Sequence, residues 1–146
     1  MKSNKGFTLV ELLAVIVILA IIALIATPII LGVIDTAKEG SAKASALAYI
    51  DAVEDYVVIS QVTATETNPG ITYPNAEGYT VAELTTAGVE VKGTRPADTD
   101  VIVLTDDGSV ASGTKLNIEV SKTKYCATYT VSGNTGSVAV ANGQCE

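Results

Sequence analysis

From Leu9 to Ile34 the chain runs for 26 residues with a single ionisable side chain, Glu11. An α-helix rises about 1.5 Å per residue, so about 20 apolar residues cross the hydrocarbon layer of a bilayer. With Phe7 and Thr8 the apolar segment reaches 28 residues, enough to span with several to spare. The overall share of hydrophobic residues, 48%, is therefore uninformative as an average. The excess sits at one end, and the remainder is a polar, Thr- and Gly-rich sequence. The chain reads as a membrane-type segment joined to a soluble domain. Lys2 and Lys5 precede the span, while Asp35 and Glu39 follow it, which places the N-terminus in the cytoplasm and the bulk of the protein outside.

Helical periodicity continues past the apolar run. Val33, Ala37, Gly40, Ala44, Leu47, Ile50, Val53 and Val57 recur at steps of three or four and form one apolar stripe. One helix is expected from about Phe7 to about Ser60, irregular at Pro28, which lacks a backbone donor and crowds the Leu24 carbonyl; Gly32 is a second weak point. Residues 61–78 are turn-rich, with Asn68-Pro69-Gly70 and Pro74-Asn75 as breakers. Thr80-Val81-Ala82-Glu83 has capping-box spacing, and Gly88 is placed to end the short helix that follows. After Asp100 the pattern turns to alternation, with strands expected at 101–105, around Leu116–Val120 and Tyr125–Val131, and at Val138–Val140; Asp106-Asp107-Gly108 is a hairpin turn. The expected fold class is α+β: a long N-terminal helix, its first half transmembrane and its second half packed on a small antiparallel sheet. The organisation is a leader at 1–6, a span at 7–34, an amphipathic continuation at 35–60, a connecting region at 61–99 and a β region at 100–146.

Charge and cysteine usage narrow the function. The net charge is −7; two of the nine cations lie in the first six residues, so the rest opposes seven cations to sixteen acids, a net of −9. That sign gives no support to nucleic-acid binding. Histidine is absent, which removes Ser-His chemistry. Asp98, Asp100, Asp106 and Asp107 lie close in sequence but lack the spacing of a calcium loop and read as solvated turn acids. No catalytic residues, metal or cofactor are expected. Cys126 and Cys145 lack zinc or redox spacing; in an exported domain they read as a disulfide closing a loop of about 20 residues, and otherwise as two unrelated thiols.

Gly6-Phe7-Thr8-Leu9-Val10-Glu11-Leu12-Leu13, with a short basic leader before it and aliphatics after it, resembles the prepilin signature of type IV pilins and type II secretion pseudopilins. The resemblance is carried by residues 1–34. It implies cleavage between Gly6 and Phe7 by a membrane aspartyl peptidase that also N-methylates Phe7, then polymerisation into a helical filament by a membrane platform with an ATPase, together with minor pilins. It also implies that Glu11 forms an assembly salt bridge with the Phe7 amine of an adjacent subunit. Cys126 and Cys145 resemble the C-terminal disulfide loop of many pilins.

The residues support a reading of Glu11 on their own. A carboxylate well inside an apolar span costs about 2.5–3.5 kcal/mol unless partnered. No cation lies between Leu9 and Ile34, and cutting after Gly6 would create one, four residues before Glu11. The alternative is a glutamate near the interface that reaches headgroup water. Three other readings of the chain stay open: a minor pilin or pseudopilin of a secretion or DNA-uptake system, an ordinary secretory signal, and a plain anchor holding a monomeric surface-binding module.

Overall fold

The computed structural model describes residues 6–65, 70–133 and 135–146. The leader residues 1–5 and the Asn68-Pro69 part of the expected turn lie outside these. Two compact units divide the chain, Met1–Ala37 and Lys38–Glu146.

Helix α1 spans Leu9–Thr63, 55 residues or about 80 Å. In the first unit it is long and apolar enough to cross a membrane. Its aliphatic side chains are exposed on every side, from Leu9 and Val10 through Ile21, Ile22, Ile29, Ile30 and Val33. The helix is unbroken through Pro28 and Gly32. The hydroxyls within it fold back on the helix: Thr27 Oγ1 donates to the Ala23 carbonyl at 2.7 Å and Thr36 Oγ1 to that of Gly32 at 3.0 Å.

In the second unit the same helix covers the core. Its buried residues are Ala42, Ala46, Tyr49, Ile50, Val53, Val57 and Ser60. The expected stripe holds from Leu47, half-buried against the core, through Ile50, Val53 and Val57. Before that it fails: Val33, Ala37, Gly40 and Ala44 are exposed, and the buried line runs through Ala42, Ala46 and Tyr49. Val33 and Ala37 continue the all-round apolar surface and carry no directional signal, so extrapolating from them rotates the stripe. Burial pushes the Tyr49 phenol up to about 12, leaving it neutral in the core.

Five strands follow: β1 Asn75–Thr80, β2 Val101–Leu104, β3 Lys115–Val120, β4 Thr123–Ser132 and β5 Thr135–Asn142. β1 pairs with β2, and β3–β4–β5 form an antiparallel meander. Leu116, Ile118, Tyr125, Ala127, Tyr129 and Val138 turn inward from the meander, as their alternation predicts. Strand β1 lies within the turn-rich stretch and has no alternating signature of its own; it forms against β2, in a register interrupted between Asn75 and Tyr79. Helix α2, Val81–Ala87, begins with the expected capping box, Thr80 Oγ1 accepting from the Glu83 amide at 3.2 Å and Glu83 Oε2 accepting from the Thr80 amide at 2.8 Å. Gly88, at φ 124°, ends it. The β3–β4 turn, Ser121-Lys122, has positive φ at both residues without glycine.

Several polar contacts hold the pieces of this unit together. Glu54 Oε1 accepts from the Val110 amide at 2.9 Å, fixing α1 to the segment after the 106–108 turn. Asp100 is buried and receives both the backbone N–H and the side-chain N–H of Asn117, the latter at 2.7 Å. Asn117 in turn accepts from Ala97 N through its carbonyl (3.0 Å) and from Cys145 N through Oδ1 (2.8 Å). The outer edge of β3 is thereby covered, whereas β5 ends the sheet on its other side.

Candidate functional site

The sequence directs attention to the entry of α1. Gly6, Phe7 and Thr8 lie outside any helix or strand and are exposed, with Phe7 at 84%. The helix begins at Leu9, two residues later than periodicity alone predicts, because Thr8 caps it. Thr8 Oγ1 accepts from the Glu11 amide at 3.2 Å, and Glu11 Oε2 accepts from the Thr8 amide at 2.9 Å and the Thr8 hydroxyl at 2.8 Å. This reciprocal pattern is a capping box. It reproduces the one at Thr80 and Glu83, where the hydroxyl bond is also 2.8 Å.

Two consequences follow for the residues singled out by sequence. Phe7 precedes the cap, so Phe7 and Glu11 are not neighbours on successive turns of one helix. Glu11 in turn already has partners, supplied by the orphan end of its own helix. Both bonds fall on Oε2, and Oε1 carries none of those made among the described residues. Thr8 carries no weight in the sequence analysis above, although Thr-x-x-Glu is legible there just as it is at Thr80, seventy-two residues later.

The leader and three quarters of the span then match one known pattern. Residues 1–27 match the family model described as the prokaryotic N-terminal methylation motif. The chain carries the type IV prepilin signature. No curated protein and no solved structure matches the chain. The signature thus extends through Glu11 and most of the exposed apolar helix, and the domain from Lys38 onward stands on its own geometry.

That domain holds the remaining sequence candidates. Cys126 and Cys145 are joined, with Cα atoms 4.8 Å apart, and the bond ties the segment after β5 back to β4. Asp98, Asp100 and Asp107, close in sequence, have separate partners. Asp98 pairs with Arg95 at 2.7 Å, and Asp100 holds Asn117. Asp107 accepts from the Ser109 and Thr105 hydroxyls and the Ser109 amide. Those bonds, the Ser109 hydroxyl foremost, pull its carboxyl down to about 2. Among the described residues no group of three or more acids, histidines or cysteines is arranged to hold a metal.

Proposed function

We propose that this chain is the precursor of a type IV pilin-like filament subunit. It inserts as a single span with its N-terminus in the cytoplasm, is hydrolysed between Gly6 and Phe7, is N-methylated on Phe7, and is drawn into a helical filament of like subunits. The reading is carried by one conjunction: the methylation motif over residues 1–27 coincides with an exposed, non-helical Gly6-Phe7-Thr8 segment that opens directly into a helix apolar on all sides.

The physical sequence of events follows from that conjunction. In the bilayer the apolar coat of α1 meets lipid tails. In the filament it meets the same coat on neighbouring subunits, and since tails and Leu, Ile and Val side chains are similarly apolar, the transfer gains little by itself. Extraction therefore requires outside work, which an assembly platform with an ATPase would supply. Cleavage creates the Phe7 amine, and Oε1 of Glu11 is the acceptor left for it, on its own or an adjacent subunit. Such a pair sets register more than it adds strength. The disulfide-bonded C-terminal segment favours a pilus subunit over a pseudopilin.

Mass spectrometry of the membrane-extracted protein tests the proposal. A mature chain that begins with methylated Phe7 is expected. A chain that retains Met1, or that is cut after the apolar run, removes it.

A further inference from the structure

We infer that Thr8 is a positioning residue for processing: its capping box with Glu11 stops α1 at Leu9 and so keeps the Gly6–Phe7 peptide bond out of the helix. The inference rests on the proposed cleavage site and adds a residue that the proposal does not assign. A peptidase must reach the scissile carbonyl and its amide, and in a helix both are engaged with the neighbouring turn. Left to propensity, the helix would advance toward the N-terminus, because Phe7 is compatible with a helical turn and the first amides gain partners by it. A residue at the cap position has non-helical backbone and gives the orphan amides a side-chain acceptor instead. Thr8 does this here, with all three bonds of the box in place.

The chain contains its own control. At Thr80 the same three bonds occur with nearly the same lengths, and the backbone there is extended, with φ −70° and ψ 152°. In both places the helix starts at the residue after the threonine. The box at Thr8 also divides the work of Glu11 between its oxygens. Oε2 closes the cap in the uncut precursor, and Oε1 is left for the amine released when water adds across the bond, its oxygen going to the Gly6 carbonyl and a proton to the Phe7 nitrogen. The carboxylate thus enters the membrane already partnered, before any cleavage.

Gln at the third helical position closes a capping box as Glu does, so charge and capping are separable. The test is pulse-chase processing of the full-length precursor in cells, scored on the membrane-inserted fraction, with Thr8→Leu, Thr8→Ser, Thr8→Asp and Glu11→Gln. Thr8→Leu is expected to slow cleavage about five-fold, the factor set by a typical cap. Thr8→Ser and Thr8→Asp should restore the wild-type rate, and Glu11→Gln should be cut normally. Wild-type cleavage of Thr8→Leu, or equal slowing of all three Thr8 variants, overturns the inference while leaving the cleavage site intact. If the wild-type chain is not cut at Phe7, the site itself fails and the inference with it.

Discussion

At the scale of the residue, Glu11 shows how a costly group is accommodated in layers. Its own helix end satisfies one oxygen, which lowers the penalty of placing a carboxylate at the start of an apolar span. Only the charge is left to be answered, and Glu11→Gln isolates it: the precursor should be exported and cut normally, with filament yield sharply reduced. Wild-type yield in electron micrographs would count against the amine pairing. Gly6 makes a complementary case. A Cβ added there meets nothing within 4 Å among the described residues, so Gly6→Val introduces no clash at that atom. Loss of cleavage in that variant, read as a mass shift, would therefore report on the peptidase's need for close backbone approach. Asp107 offers a pH test in the soluble domain. Its carboxyl is held near 2 against an ordinary 3.8, so its contribution is fully present above about 4 and is lost as the pH falls toward 2. Asp107→Asn should lower Tm at neutral pH, flatten the acid side of a Tm-against-pH curve over that interval, and converge with the wild type as the pH nears 2.

At the scale of the element, what was readable depended on whether a local signal existed. The amphipathic strands β3 and β4 alternate cleanly, and α2 announces both its ends through Thr80, Glu83 and Gly88, so these were legible in the sequence. β1 was not, since Asn75–Thr80 holds its strand conformation only by pairing with β2, a partner some twenty residues away. The Ser121-Lys122 turn was hidden for the opposite reason: its left-handed backbone lacks the Asn-Gly or Asp-Gly that usually marks it. The stripe on α1 is misplaced before Leu47 because a uniformly greasy segment gives periodicity no phase. Asp100 is the clearest case of a residue whose role only tertiary structure reveals. Its carboxylate seals the β3 edge through Asn117, and Asp100→Ala would leave two half-buried donors of Asn117 without their acceptor. A loss of about 2–3 kcal/mol in urea unfolding of the soluble domain is expected, and a change of a few tenths would remove the clasp from the account.

At the scale of the molecule, the two units rely on different sources of order. Residues from Lys38 onward close a core of their own, with Ile50, Val53, Leu84, Ile102, Leu116 and Ile118 fully buried. The Cys126–Cys145 bond closes a loop across a separation of 19 residues, which on chain-entropy grounds adds about 3 kcal/mol. Cys126→Ser with Cys145→Ser should lower the unfolding free energy of this domain by roughly that amount, while the proposed cleavage after Gly6 proceeds at its normal rate. Coupled loss of both would mean that processing senses the folded domain.

The even coat of branched aliphatics around the first-unit part of α1, before Lys38, has a mechanical corollary. A cylinder with no preferred side meets little resistance when it is turned about its long axis or slid past a similar one, because each new position offers much the same contact. If the proposed filament forms, fibres built on such cylinders should tolerate several twists and extend under load without coming apart.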